Sequence, residues 1–319
     1  MIAATPLFKS LRIGKSLGID LCVKRDDLFP SIGGGNKARK ALKIAEEIER
    51  CGYDSIVTTG DVQSNHARAT ALLAAEKGWK CKLVLHGDPE LLKKPSASLL
   101  LICMSGAEVE MVDPVDINST MKRAFQELQN DGFHPCEIQG GGHCLAGGVE
   151  YVEALEEVAY QCELLRWNPD YIVLPSGTGT TQAGIICGVE KSGWDTKVIG
   201  ISVARPSSVG AQVVREMCQQ LSDHLDIEMD HIQVEFRDEW IGEGYGKAGQ
   251  EVLRTIGWAA LTEGIILDPT YTGKAFTGML ELAESGEIER GSRVLFWNTG
   301  GLLNLLSAEQ YLEEILRSN

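Results

Sequence analysis

The stretch Tyr171-Ile172-Val173-Leu174-Pro175-Ser176-Gly177-Thr178-Gly179-Thr180-Thr181-Gln182-Ala183-Gly184 reads as a short apolar strand, a glycine–threonine turn and the start of a helix, Gly184–Val189. Strand, tight turn and helix in that order form the unit of a parallel α/β sheet. The alternation continues outward from it. Further strands are expected at Ser55–Thr59, Cys81–Leu85, Glu108–Val112, Val198–Val203, Ile232–Phe236 and Arg293–Trp297. Between them lie residues at helical spacing, such as Leu42, Ala45, Ile48 and Val149, Val152, Leu155, Val158. The pattern predicts an α/β fold of mostly parallel twisted sheets covered by helices on both faces. A chain of 319 residues implies two domains or one large one. In such folds a ligand lies beyond the carboxyl ends of the strands.

Composition narrows the function. Hydrophobic residues make up 44% and charged residues 24%, as in an ordinary globular protein. The longest apolar runs, Ile172–Leu174 and Val294–Trp297, are strand-length and far below a membrane span. The start, Met1-Ile2-Ala3-Ala4-Thr5-Pro6, lacks the basic and apolar regions of a secretion signal. Nine cysteines occur without a Cys-x-x-Cys or zinc-finger spacing, so free thiols in a reducing compartment and no metal site are expected. A formal charge of −15 disfavours nucleic acid and anionic membranes as partners. The expected location is cytoplasmic.

Five segments carry chemistry. Gly33-Gly34-Gly35-Asn36-Lys37-Ala38-Arg39-Lys40 opens a helix with three cations, which oppose the helix dipole unless an anion sits there; a flexible loop with a solvated basic helix start is the competing reading. Thr59-Gly60-Asp61-Val62-Gln63-Ser64-Asn65-His66 joins a strand to a helix; Ser64 or Asn65 could cap it, and its amides would also suit a carboxylate or phosphate. The Gly177–Thr181 turn forms an anion cradle of amides and hydroxyls. Gly177-x-Gly179 also resembles the start of a dinucleotide fingerprint. The next strand, however, ends Gly200-Ile201-Ser202-Val203 without an acid for a ribose, so a monophosphate fits better. Asp268-Pro269-Thr270-Tyr271-Thr272-Gly273-Lys274-Ala275 and Asn298-Thr299-Gly300-Gly301 complete the set; taken singly, Tyr271 reads as a packed phenol and Thr299 as a helix cap. The glycine-rich stretch 140–148 reads as a hinge between two α/β layers or as a turn only glycine tolerates.

Together with Lys24-Arg25-Asp26-Asp27, Gly244-Tyr245-Gly246 and Thr262-Glu263-Gly264-Ile265, these motifs resemble the pyridoxal-5′-phosphate (PLP) family of 1-aminocyclopropane-1-carboxylate (ACC) deaminases and D-cysteine desulfhydrases, nearly end to end. The resemblance implies fold type II, with a small domain at 46–149 inserted into a large one made of 1–45 and 150–319, and a homodimer. It implies that Lys37 carries the PLP covalently and that Asn65 bonds its phenolic oxygen. Gly177, Thr178, Gly179, Thr180 and Thr181, with Lys40, would hold the phosphate, and Thr299 would face the cofactor. Ser64, Asn65, His66 and Thr272 would meet a small amino-acid substrate. Tyr245 and Tyr271 would flank it as acid/base groups alongside Lys37 and Ser64.

Two positions tilt the expected reaction. Where ACC deaminases have Glu and Leu, this chain has Thr272 and Thr299, the desulfhydrase pattern. A carboxylate at the pyridine nitrogen makes a strong electron sink and a hydroxyl a weaker one, sufficient to expel a good leaving group. That favours β-elimination of D-cysteine to pyruvate, hydrogen sulfide and ammonia, with ACC deamination or β-replacement as alternatives. A nicotinamide enzyme built on Gly177–Gly184 and a non-catalytic binder are the competing classes. Three departures from the family pattern stand out: His143 replaces a small polar residue, Asn298 replaces a His, and Gly33–Gly35 is unusually rich in glycine. His143 reads first as a surface-loop residue; facing the pocket, it would recognise a different leaving group or substrate acid.

Overall fold

The computed structural model describes residues 4–229 and 231–317, so Met1, Ile2 and Ala3 of the leader reading lie outside the described residues. Two sheets organise the chain. The larger has six strands: β1 (Leu7–Lys9), β2 (Asp20–Arg25), β7 (Tyr171–Ser176), β8 (Lys197–Ser202), β9 (Glu235–Arg237) and β10 (Arg293–Asn298). The smaller has four: β3 (Ser55–Asp61), β4 (Lys80–His86), β5 (Glu108–Met111) and β6 (Pro135–Ile138). The spatial orders are β1-β2-β10-β7-β8-β9 and β5-β4-β3-β6; all pairings are parallel except β1 with β2.

Each expected strand is present, shifted at its ends by a few residues; the one at 232–236 shortens to β9. The expectation missed β1, β2 and β6, and the causes are local. Lys24 interrupts the apolar run of β2, yet it is fully buried because Glu157 and Gln161 receive its ammonium. β6 begins at Pro135, where a missing N–H is tolerated, and is only four residues long. β1 has three residues, too few to show a period.

The strand period of two divides the core between the sheet faces. In the large sheet Cys22, Ile172, Leu174, Leu295 and Trp297 pack on one side, and Leu21, Val23, Val173, Val294 and Phe296 on the other. Ile56, Leu83 and Leu85 do the same opposite Val57 and Val84 in the small sheet. Both faces are therefore covered by helices, as a parallel sheet requires. Helices Gly35–Arg50 and Leu145–Leu165 run unbroken through the expected domain boundaries at 45/46 and 149/150. Of the stretch 140–148, residues 140–144 form a short turn, with Gly141 and Gly142 at φ 76° and 64°, and 145–148 begin the second of these helices. No helix of the described residues is long and apolar enough to cross a membrane.

Candidate active site

A cavity of about 640 Å³ lies where the carboxyl ends of both sheets converge. Its wall takes Asp61 from β3, His86 from β4, Gln139 after β6, Ser176 from β7 and Gly177 after it, Arg205 after β8 and Thr299 after β10. Residues far apart in the chain meet there because each follows a parallel strand into a loop.

Lys37 is the lysine on this wall, in the first turn of helix Gly35–Arg50. Its amine donates to the Gly141 carbonyl at 3.0 Å, and burial lowers its pKa to about 8. The helix can start there because Gly34 and Gly35 take φ of 73° and 82°; a side chain on Gly35 would meet the Thr299 carbonyl at 3.0 Å. Asn36 N–H donates to that same carbonyl at 2.8 Å, fastening the lysine turn to the β10 turn.

Ser64 caps helix Asn65–Lys77, its hydroxyl accepting from Ala67 N–H at 3.2 Å. Asn65 donates to Asn304, and both Ser64 and Asn65 face the cavity. His66 lies deeper and is buried. The Thr58 hydroxyl donates to the Ile138 carbonyl at 2.7 Å and so receives its other bond, at 2.8 Å, from His66 Nε2–H. Burial, with Lys37 and Lys40 adding repulsion, pushes the His66 pKa down to about 3. The imidazole is therefore neutral in the folded chain.

This shift makes a stability prediction. The folded pKa lies below the ordinary value near 6.5, so unfolding takes up a proton as the pH falls from 6.5 towards 3. His66 should remove stability on the order of a few kcal/mol across that window. Denaturant titrations at pH 7 and pH 4.5 should show a smaller loss for His66→Leu than for the unaltered protein; equal losses would refute the assignment.

The Gly177–Thr181 turn opens helix Thr180–Lys191, and no side chain caps that helix start. Gly179 has φ 83° and sits where a Cβ would strike Val214 at 2.8 Å, so only glycine allows this close turn. Lys40 is fully buried beside Gly147, with its ammonium unpartnered and 5.8 Å from the Tyr151 ring centroid. Burial and the neighbouring Lys37 hold its pKa well below the usual lysine range. An uncapped helix start on the cavity wall and an unsatisfied buried amine near Lys37 fit a phosphate, and an amine less basic than an ordinary lysine fits an aldehyde. The residues present thus suit pyridoxal phosphate.

Tyr245 and Tyr271 line the cavity and meet hydroxyl to hydroxyl, their rings edge-on with centroids 5.8 Å apart. Burial raises both phenols, Tyr245 to about 12. The loop carrying Tyr245 is held by Lys274, whose ammonium donates to the carbonyls of Ile241, Gly244 and Val203 at 2.7, 2.8 and 3.3 Å.

Most of the expected site residues share the cavity: Lys37, Ser64, Asn65, His66, His143, Gly177, Thr178, Gly179, Thr181, Tyr245, Tyr271 and Thr299. Three stand behind its wall. Thr180 spends its hydroxyl on His143 Nδ1 at 2.7 Å, and Lys40 is buried beside Gly147 and Tyr151. Thr272, expected at the substrate, is instead fully buried; its hydroxyl donates to Asp268 at 2.8 Å, beneath the tyrosine loop. His143 is no surface-loop residue but part of the cavity wall. Asn298 is buried and anchors its turn, accepting from Gly300 N–H at 3.2 Å and donating to the Ile266 carbonyl at 3.3 Å. Sequence reasoning passed over Asp61, His86 and Arg205. All three end or follow a strand, a position that by itself marks a ligand-facing residue in this architecture.

Comparisons with known proteins agree with this geometry. The profile of the family "Pyridoxal-phosphate dependent enzyme" matches residues 1–300. A putative 1-aminocyclopropane-1-carboxylate deaminase of Pyrococcus furiosus is 36% identical over 301 residues, covering 93% of this chain and 89% of the relative. A D-cysteine desulfhydrase of Yersinia enterocolitica is 34% identical over 304 residues, covering 93% and 91%. The crystal structure of an ACC deaminase homologue superposes with a TM-score of 0.88 at 33% identity, over 99% of this chain and 94% of that one. A hydrogen sulfide-producing enzyme of Fusobacterium nucleatum shares the fold, with a TM-score of 0.68 at 18% identity over 95% and 97%. The chain belongs to the pyridoxal-phosphate-dependent enzymes of fold type II, in the lyase family that holds the ACC deaminases and the D-cysteine desulfhydrases.

Proposed function

We propose that this enzyme catalyses β-elimination from a small amino acid, converting D-cysteine to pyruvate, hydrogen sulfide and ammonia. The observation that carries this reading is the arrangement of the two threonines. The Thr272 hydroxyl is turned to Asp268 and Thr299 lines the cavity, so neither position carries a carboxylate that would keep a pyridine nitrogen protonated. Bound PLP would supply an electron sink, and without a carboxylate partner a moderate one, adequate for a thiolate leaving group.

The chain's own residues cover the remaining steps. Ser64 and the amides at the start of helix Asn65–Lys77 receive the substrate carboxylate. Lys37, its amine less basic than an ordinary lysine, takes the proton from Cα. The Cα–H electron pair becomes the new Cα=Cβ bond as the Cβ–S bond breaks, sulfur leaving with its pair. Tyr245 and Tyr271, two phenols on the cavity wall, would protonate the departing sulfur. Water then hydrolyses the enamine product to pyruvate and ammonia.

The test is a panel of D-cysteine, L-cysteine, β-chloro-D-alanine and ACC, with sulfide and keto acid measured separately. Sulfide and pyruvate in equal amounts from D-cysteine are expected. Keto acid from ACC, with no sulfide from either cysteine, would overturn the proposal in favour of deamination.

A further inference from the structure

One short helix is folded against its own composition. Helix Leu302–Leu306 reads Leu302-Leu303-Asn304-Leu305-Leu306, yet the residue it buries is the asparagine. Asn304 is 8% exposed, whereas Leu302 and Leu306 are 54% and 61% exposed. A buried amide is costly unless it is hydrogen-bonded, and a leucine turned inward would carry no such cost. An inversion of this kind is expected where a polar group is needed at a functional site.

The partner of Asn304 is Asn65. The Asn65 amide donates from Nδ2 to Asn304 Oδ1, across 239 positions of the chain. Asn65 lines the cavity at the start of helix Asn65–Lys77, whereas Asn304 is not a lining residue and stands behind it. A primary amide is planar and has two N–H donors. Once Asn304 takes one of them, the plane of the Asn65 amide and the direction of the other N–H are set. The amide can then exchange its amino group for its carbonyl only by breaking that bond.

Asn304 is a fixed point because its segment is fastened to two turns of the site. The Thr299 carbonyl accepts Asn36 N–H from the lysine turn, and a Cβ on Gly300 would lie 2.9 Å from Gly35 Cα. Gly301 packs on the Asp268 carboxylate, which accepts the N–H groups of Thr270, Tyr271 and Thr272 at 3.0, 3.1 and 2.9 Å. Asn65 follows a strand of the small sheet and Asn304 a strand of the large one, so their bond ties a small-sheet residue of the cavity to the large sheet. The backbone around Asn65 has fastenings of its own. Arg68 donates to the Ile32 and Gly34 carbonyls at 2.6 and 3.2 Å. Gln63 donates to the Ser96 carbonyl and accepts Leu99 N–H, both at 3.3 Å. What Asn304 adds is the orientation of one side chain.

We propose that Asn304 is a positioning residue of the reaction: by holding one N–H of Asn65 it aims the other into the cavity, at the phenolic oxygen of bound PLP. The inference rests on the reading that Asn65 meets that oxygen. A donor aimed at an oxygen that bears negative charge favours the charged form. Asn304 therefore lowers, through Asn65, the pH at which the bound cofactor gives up its proton.

The test is a double-mutant cycle on the PLP-loaded protein with Asn65→Ala, Asn304→Leu and the two combined. Asn304→Asp, which keeps an acceptor of the same shape, is measured beside them. PLP affinity is read by equilibrium dialysis and the cofactor absorbance is titrated against pH, neither of which requires turnover. Asn304→Leu should weaken PLP binding roughly 3- to 10-fold, the scale of one net hydrogen bond, and raise the midpoint of the absorbance change. In the Asn65→Ala background Asn304→Leu should add nothing to either readout. Asn304→Asp should stay closer to the unaltered protein in PLP affinity than Asn304→Leu does. The proposal is overturned if Asn304→Leu has no effect, or if its effect persists beside Asn65→Ala. It is equally overturned if Asn304→Asp is as impaired as Asn304→Leu. An Asn65→Ala variant with unchanged affinity and spectrum would instead sink the role given to Asn65, and the positioning role of Asn304 with it.

Discussion

Replacing Lys37 by Ala should lower turnover by about 10⁴-fold or more, with the fold and the cavity intact. Lys37 is the lysine lining the cavity, and its amine reaches the Gly141 carbonyl across it. Burial brings its pKa from 10.5 to about 8, which raises the neutral fraction near pH 7 by roughly two orders of magnitude. A neutral amine can attack an aldehyde and accept a proton; an ammonium can do neither. Borohydride treatment followed by mass spectrometry should find PLP fixed on the peptide holding Lys37 in the unaltered protein and absent from the variant. Fixation elsewhere, or turnover within tenfold of normal in Lys37→Ala, would remove Lys37 from the chemistry.

Arg39→Met should cost about 3–5 kcal/mol of stability, the usual result of removing one partner from a buried ionic cluster. Melting should fall on the order of 10 °C. Arg39 is almost fully buried, one half-turn beyond Lys37. It bonds Asp26 at 3.1 Å, Glu157 at 2.9 Å and Glu150 at 3.4 Å. Asp26, wholly buried, also receives Thr5 at 2.8 Å, Tyr151 at 2.7 Å and Trp297 Nε1–H at 2.8 Å. Burial opposes its ionisation, but Arg39 and Lys24 hold its carboxyl below the usual range. Glu150 goes the other way: burial lifts it to about 8 against the pull of Arg39, so it is mostly protonated at neutral pH. Lys24 and Arg39 then face the charged Asp26 and Glu157, and the cluster is neutral. Losing Arg39 leaves Asp26 charged in the core. Adding Asp26→Leu to Arg39→Met should restore part of the stability. A loss below 1 kcal/mol for the single variant, measured by denaturant unfolding, would show that the cluster contributes little. Because these residues join β2, β10 and two helices behind Lys37, they also set where the lysine helix begins.

The local features were legible from the chain. The strand–helix alternation, the Gly177–Thr181 cradle, the capped start at Ser64 and the lysine turn at Gly34 and Gly35 all arise from dihedral preference, side-chain period and the special freedom of glycine, which act over a few residues. The candidate amine, Lys37, followed from the resemblance of these motifs to the PLP family and not from local preferences. Three things were decided only by the tertiary structure. Asp61, His86 and Arg205 entered the site because parallel register brings the ends of β3, β4 and β8 to one cavity. Thr272 left it because Asp268, four residues earlier, claims its hydroxyl at the start of the next helix. Lys24, Arg39 and Asp26 are charged, yet they are buried, because partners more than 100 positions away, Tyr151, Glu157 and Trp297, close around them. Residue type specifies what a side chain can bond to; only packing determines which partner arrives, and burial makes that choice energetically large.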